Sequence, residues 1–422
     1  MNTLIESNLW LAQKIIRYAQ HPAFSVYHPP QIDSDSWIIE TCQTINHEIE
    51  ALEVLLSCNR LSLEAAIHQL LPKFAQLFAH LDNLYKSQVP DAQKFLTSVW
   101  KQTLRVLIDD LAYFERRNSL NPMLKDQHEL NMYWSLEQQG FFTCQVPQEV
   151  LDEVRRVLQP WMNIIQDRAA QGLNSREELS INQIPSEIVQ YLSQHFETLG
   201  ISPAIRGVRR ESCVLSGFAL ELSVPNADWW QSSYQDLGYQ TGRCSYFHLD
   251  EGRDVYKAIL YLSDVLQAEN GATGCIPQTF AMKRDRLPWV FSRSLHLADR
   301  SLYNDIGATA RLTSSPTFRR HFMMMPEYLR ENSHWGFDLI DTLPNSLEVA
   351  NSEVKVLGNA GTCFVFDGSR LVHRGGLVQS GHRWALQIIF GVDRQNAVTA
   401  VSKLPPSFQK IEQELSTTKI VF

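Results

Sequence analysis

Residues 361–391 read GTCFVFDGSRLVHRGGLVQSGHRWALQIIFG, with two apolar runs separated by a glycine-rich connection. The runs at 361–368 and 383–392 are rich in β-branched and aromatic residues and are bounded by Gly, Asp and Ser, a pattern typical of strands. His373 follows the first run, and Arg383 opens the second. The stretch therefore predicts two strands with a histidine and an arginine near their ends.

Similar runs continue the strand pattern on the N-terminal side, at residues 213–224, 243–250 and 256–265. Few helical patterns lie between these runs, so the predicted strands connect in an antiparallel manner. Two packed antiparallel sheets predict a jelly roll, also called a double-stranded β-helix. The predicted fold class is α+β.

The first third of the chain has helical periodicity instead. Apolar residues recur at helical spacing over 37–55, 61–84 and 92–114, which predicts an all-α bundle. We therefore expect a helical domain at 1–130 and a jelly-roll domain at 131–422. Residues 281–351 form a long connection inside the second domain. We interpret them as a lid-like insertion over the barrel mouth, with a scaffold insertion outside the sheets as the alternative.

Composition excludes several classes of function. The chain has 422 residues and a net charge of −8, which argues against a nucleic-acid groove. Its seven cysteines are scattered singly, which argues against a zinc ribbon or a disulfide scaffold. The N-terminus lacks the pattern of a signal peptide, and no stretch has the length of a membrane helix. We expect a cytoplasmic protein without a membrane partner, and its oligomeric state stays open.

The tripeptide His248-Leu249-Asp250 is a candidate metal motif. Residues two apart in a strand point to the same side, so an imidazole and a carboxylate can bind one ion. Alone, the motif is common, and Asp250 can simply accept a hydrogen bond from His248. With His373 as third ligand, the set becomes the two-histidine, one-carboxylate arrangement of non-haem Fe(II) oxygenases. Such a triad leaves positions open for a cosubstrate and O2.

Arg383 is a candidate for carboxylate binding, because it follows His373 by ten residues on the next predicted strand. A guanidinium group is always charged and binds a carboxylate through two parallel hydrogen bonds. The alternative is a surface arginine that pairs with an acid. We favour a position inside the barrel.

These motifs resemble the phytanoyl-CoA dioxygenase-like branch of the Fe(II)/2-oxoglutarate oxygenases, over most of residues 131–422. The resemblance is concentrated in residues 247–280, FHLDEGRDVYKAILYLSDVLQAENGATGCIPQTF, and in the stretch quoted first. The Asn270-Gly271 pair corresponds to a turn in that family. The family segment I-P-G-S-H is matched only in part, by 276–280, IPQTF.

The resemblance implies that His248, Asp250 and His373 bind Fe(II), and that Arg383 binds the cosubstrate 2-oxoglutarate. Some members place a serine two residues after the distal histidine, where this chain has Gly375. Gln387 is then a candidate cosubstrate contact, because it shares a strand face with Arg383. Its alternative is an ordinary polar strand residue.

The implied activity is that of a dioxygenase, which hydroxylates an unactivated C–H bond of a small molecule, free or carrier-bound. We expect this substrate to belong to secondary metabolism. Two alternatives stay open. The same fold also supports desaturation, cyclisation or epimerisation, because substrate placement decides the outcome. The second alternative is a non-catalytic jelly-roll binding module.

Overall fold

The computed structural model describes residues 35–85, 92–117, 124–173, 175–209, 212–225, 250, 256–277, 286–298, 325–330, 353–368, 371–376 and 378–391. These residues belong to two compact units. The sheet unit holds the described residues of 124–277 and 353–391, and the helical unit holds those of 35–117, 286–298 and 325–330.

The described elements are of both types. The helices are α1 (Ser36–Ser57), α2 (Leu63–Tyr85), α3 (Ala92–Arg117), α4 (Gln127–Gln139), α5 (Gln148–Ala170), α6 (Ser186–Thr198), α7 (Ile201–Arg209), α8 (Arg286–Leu297) and α9 (Glu327–Arg330). The strands are β1 (Phe141–Gln145), β2 (Arg176–Ser180), β3 (Val214–Ser223), β4 (Tyr256–Tyr261), β5 (Gly274–Ile276), β6 (Val354–Lys355), β7 (Thr362–Asp367), β8 (Val372–Arg374) and β9 (Arg383–Gly391). No described helix is both long and apolar enough to cross a lipid bilayer.

The sheet unit contains two antiparallel sheets. One has the strand order β1-β7-β4-β9-β3-β2, and the other has the order β6-β5-β8. The mixed α+β class and the antiparallel sheets predicted from the sequence are confirmed. The jelly-roll connectivity of the strands stays a prediction.

The two faces of the six-stranded sheet bury different clusters. On the outer face, alternate strand residues such as Leu386 and Ile388 pack against α4, α5, α6 and α7. On the inner face, residues such as Ile259, Phe364 and Ala385 share a smaller cluster with Cys275 of the three-stranded sheet. Strand side chains alternate between faces, so this division shows which residues point between the two sheets.

The helical unit is formed by α1, α2 and α3, which pack against one another and against α8. Asp35 caps α1 by accepting hydrogen bonds from the amides of Trp37 and Ile38. Ser62 directly precedes α2, and its hydroxyl accepts a hydrogen bond from the amide of Ala65 at 3.3 Å.

The described helices of 281–351 belong to the helical unit. Asn46 of α1 accepts a hydrogen bond from the amide of Leu287 at 3.0 Å, and Arg286 pairs with Glu53 at 2.8 Å. Phe291 stacks on Phe78 of α2, with ring centroids 5.7 Å apart. This grouping differs from the expected one, in which the segment was part of the jelly-roll domain, because apolar residues of α8 are buried on the N-terminal helices. The lid role of the segment stays a prediction.

Candidate metal and cosubstrate site

Two of the three predicted metal ligands lie together in the sheet unit. Nε2 of His373 is 3.7 Å from Oδ2 of Asp250. His373 lies opposite Cys275 in the three-stranded sheet, and Cys275 belongs to the inner cluster. Residues opposite each other in a ladder share a face, so the imidazole points between the two sheets. His373 is buried, and the side chain of Asp250 is largely buried.

The imidazole of His373 is held in a defined orientation. Its Nδ1 lies 2.8 Å from the carbonyl oxygen of Leu371, which places the ring proton on Nδ1. The ring also packs against Phe366 of β7, with centroids 4.7 Å apart. Nε2 then carries the lone pair and faces Asp250, which is the tautomer that a metal-ligating histidine needs.

Asp250 is held from its backbone and from its side chain. Its amide donates to the carbonyl oxygen of Gly368 at 2.7 Å, directly after β7. Its Oδ2 pairs with Nζ of Lys257 at 2.7 Å. Lys257 lies on the inner face of β4, in register with Phe366 and Ile389. The carboxylate is therefore positioned toward His373 by contacts from two strands.

The third predicted ligand, His248, lies outside the described residues. Within the part of the chain that the structure describes, no three His, Cys, Asp or Glu side chains form a group able to hold a metal. The triad as a whole therefore stays a prediction.

The donor pair that is described fits a divalent metal. A ligand bond to such an ion is about 2.1 Å long, so two donors 3.7 Å apart can share one ion. An imidazole nitrogen and a carboxylate oxygen are donors that suit non-haem iron. The buried apolar residues around them, including Phe366 and Cys275, limit access of water. The pair could thus supply two of the ligands of a metal site, and the site itself stays a prediction.

Arg383 is buried at the start of β9, with 2% of its surface exposed. Its side chain lies on the inner face, because Trp384 on the next position belongs to the outer cluster and Ala385 to the inner one. The guanidinium group pairs with Glu221 of β3 at 2.6 Å. Arg383 is therefore buried on the inner face, and it also has the acidic partner that the alternative predicted. Its role toward 2-oxoglutarate stays a prediction.

The predicted Asn270-Gly271 turn supplies part of the Arg383 environment. Gly271 has φ of +87°, a conformation that favours glycine, and its amide donates to Ala268. Its carbonyl oxygen accepts from Nη1 of Arg383 at 2.7 Å. The turn thus places a backbone acceptor inside the unit.

Gln387 shares the inner face with Arg383, as the sequence predicted, because Ile388 lies in the outer cluster. Its Oε1 accepts a long hydrogen bond, 3.5 Å, from Nη2 of Arg176 of β2. Gln387 is half-buried and lies opposite Ala219 and Ile259. Its proposed contact with the cosubstrate is untested.

A second buried ionic cluster lies beside β8, the strand that carries His373. Glu353 pairs with Lys355 at 2.7 Å and with Nε of Arg374 at 2.6 Å, so it links β6 to β8. Gly274 on the strand between them leaves space for the Glu353 carboxylate, which a Cβ would meet. Although burial alone would raise the pKa of Glu353, the charges of Arg374 and Lys355 hold it below its usual value. Burial, with help from Arg374, lowers the pKa of Lys355 to about 8.

Sequence reasoning missed Glu221 and Lys257. Both are charged residues in otherwise apolar strand runs, FALELS and YKAILY. A charge at an inward position of such a run is costly unless it is paired, and that is the signal that could have identified them.

No family model matches the sequence, and no curated protein is significantly similar to it. The chain is similar to the solved structure of SnoK, a non-haem α-ketoglutarate-dependent carbocyclase of nogalamycin biosynthesis. The identity is 12% over 64% of this chain and 89% of that one, with a TM-score of 0.34. HygX from Streptomyces hygroscopicus, with nickel and 2-oxoglutarate bound, has 13% identity over 62% and 87%, with a TM-score of 0.33.

EctD from S. alaskensis, with 2-oxoglutarate and 5-hydroxyectoine, has 11% identity over 65% of this chain and 81% of that one, with a TM-score of 0.35.

Proposed function

We propose that the chain is an Fe(II)- and 2-oxoglutarate-dependent oxygenase. The observation that carries the proposal is the 3.7 Å separation between Oδ2 of Asp250 and Nε2 of His373. Both atoms face each other inside a mostly apolar unit, and the Nδ1 contact of His373 leaves Nε2 available as a donor. An oriented imidazole beside a carboxylate is the donor pair expected in an iron site of this class.

In this proposal, His373, Asp250 and His248 hold the iron. Bound Fe(II), with 2-oxoglutarate and O2, supplies the oxidising chemistry for C–H bonds. The contribution of the protein is to orient the ligands and to exclude water. Leu371 fixes the His373 ring, Gly368 fixes the backbone of Asp250, and Phe366 covers the imidazole.

Arg383 is the proposed anchor for the distal carboxylate of 2-oxoglutarate, with Gln387 as a further contact. Both lie on the inner face of β9. A buried guanidinium group suits a carboxylate that must be held away from water. The pairing of Arg383 with Glu221 modifies this role and is taken up below.

The two antiparallel sheets with a shared inner cluster support a jelly-roll core of the phytanoyl-CoA dioxygenase-like type. We propose a small-molecule or carrier-bound substrate that is hydroxylated, with desaturation, cyclisation or epimerisation as other outcomes of the same site. No nucleic-acid or membrane partner is proposed, and the proposed location is the cytoplasm.

One observation favours the other class, a binding module without catalysis. Lys257 already supplies a positive charge to Asp250, so the carboxylate has a partner in the protein itself. A module of this kind would bind a ligand between the sheets without consuming 2-oxoglutarate.

Succinate formation separates the two functions. The full chain with Fe(II), O2 and 2-oxoglutarate is expected to release succinate slowly even without the true substrate. The matched control is Asp250→Asn, which keeps the size of the side chain and removes its charge. Equal succinate release from the wild type and the variant would contradict the proposal, because free iron would then account for it.

A further inference from the structure

The guanidinium group of Arg383 has its terminal donors committed to partners in the protein. Nη1 donates to the carbonyl oxygen of Gly271 at 2.7 Å and to Oγ1 of Thr273 at 3.2 Å. Nη2 donates to Oε1 of Glu221 at 2.6 Å and to Oγ of Ser223 at 3.1 Å. Each terminal nitrogen carries two N–H groups, so all four are used. Among the described residues, the Nε–H group of Arg383 has no hydrogen-bond acceptor.

These partners are themselves fixed. Oγ1 of Thr273 accepts a hydrogen bond from Arg383, and the amide of Thr273 donates to the hydroxyl of Tyr261 at 3.0 Å. That hydroxyl donates in turn to the carbonyl oxygen of Val356, also at 3.0 Å. Glu221 and Ser223 lie on β3, in register with Ala385 and Arg383 of β9. Arg383 is therefore surrounded by acceptors that β3, the Gly271 turn and the hydroxyl of Tyr261 hold in place.

Glu221 is the acceptor that matters for a charged ligand. It is 6% exposed and Arg383 is 2% exposed, so the two charges neutralise each other away from water. A second carboxylate that approached this guanidinium would meet the negative charge of Glu221 as well as the positive charge of Arg383. At short range in a buried site, such like-charge repulsion is large.

We propose that Glu221 determines cosubstrate selectivity by competing with the distal carboxylate of the 2-oxo acid for Arg383. The proposal rests on the proposed function, because it assumes that a 2-oxo acid binds at the metal. It predicts that the distal carboxylate contributes little to affinity in this chain. A 2-oxo acid without that carboxylate then binds almost as well as 2-oxoglutarate.

The test compares two ligands that differ only at the distal end. These are 2-oxoglutarate and 2-oxopentanoate, which has the same five-carbon chain and ends in a methyl group. Dissociation constants are measured by calorimetry on the full chain loaded with Fe(II) and kept free of O2. The expected preference of the wild type for 2-oxoglutarate is below about tenfold, whereas an unopposed buried arginine would give about a hundredfold or more.

The variant Glu221→Gln keeps the shape of the side chain and removes its charge. We expect it to raise the preference for 2-oxoglutarate by about tenfold or more, through tighter binding of 2-oxoglutarate alone. Glu178→Gln is the matched control. Glu178 lies on the inner face of β2, opposite Ala219 of β3, but its side chain is exposed. It is expected to leave the preference unchanged.

The outcomes separate this inference from the proposed function. If the iron-loaded wild type prefers 2-oxoglutarate over 2-oxopentanoate by more than tenfold, the role of Glu221 is overturned and the proposed function is not. This measurement needs only the wild type, so it tests the role of Glu221 even if Glu221→Gln does not fold. A folded Glu221→Gln with an unchanged preference would also overturn it. Failure of the iron-loaded wild type to bind either 2-oxo acid would overturn the proposed function, and this inference with it.

Discussion

The ammonium group of Lys257 lies 2.7 Å from Oδ2 of Asp250, the same carboxylate oxygen that lies 3.7 Å from Nε2 of His373. A lysine and a metal ion at this place would compete for one oxygen atom. Lys257, which the sequence did not single out, is therefore expected to change how tightly the proposed site binds a metal ion.

Replacement of Lys257 by methionine is expected to tighten Fe(II) binding about three- to tenfold. The reason is that the variant removes a positive charge that competes for Asp250 and repels a divalent ion at close range. Anaerobic Fe(II) titration measures the effect. Lys125→Met, in the same unit, is the control and should have no effect. Weaker iron binding in Lys257→Met would mean that the lysine orients the carboxylate instead of competing for it.

Replacement of Arg383 by alanine is expected to weaken binding of 2-oxoglutarate much more than binding of iron. The variant removes the positive charge and leaves Glu221 to repel the distal carboxylate. We expect the dissociation constant of 2-oxoglutarate to rise at least about tenfold, because like-charge repulsion at short range in a buried site is large. The measurement is the dissociation constant of 2-oxoglutarate on iron-loaded protein, with thermal unfolding as a check that the variant is folded. An unchanged dissociation constant in the folded variant would rule out the role of Arg383 in binding 2-oxoglutarate.

Glu353→Gln is expected to lower the free energy of unfolding by about 3–5 kcal/mol, because it leaves Arg374 and Lys355 without their buried counter-charge. Denaturant unfolding of the full chain measures the change. Glu153→Gln is the matched control, because Glu153 pairs with Arg156 on the exposed surface of α5. Surface pairs of this kind contribute little. If the two substitutions lowered the free energy of unfolding equally, the buried cluster would stabilise the protein no more than the exposed pair does.

Much of the sheet unit was predictable because strand patterns are local. The runs around Phe364 and Ile388 alternate between two buried clusters, and Gly271 adopts the positive φ that an Asn-Gly turn requires. These predictions needed only residue type and periodicity. The proximity of His373 to Asp250 was expected on a different ground, namely the assumption that both residues belong to one metal triad.

Pairings between distant segments were not predictable. Glu221 and Arg383 are 162 residues apart, and only the β3–β9 register brings them together. The same holds for Leu287, whose amide donates a hydrogen bond to the side chain of Asn46 across 241 residues. A local pattern shows that a residue is buried, but it does not show which distant residue will contact it.

The most direct test of the account is the iron content of the full chain. Purified without O2 and titrated with Fe(II), the wild type is expected to bind about one ion per chain, the stoichiometry of a mononuclear site. His373→Ala and Asp250→Ala should lose that ion while they stay folded, and so should His248→Ala. Undiminished Fe(II) binding in these variants would contradict the assignment of the site.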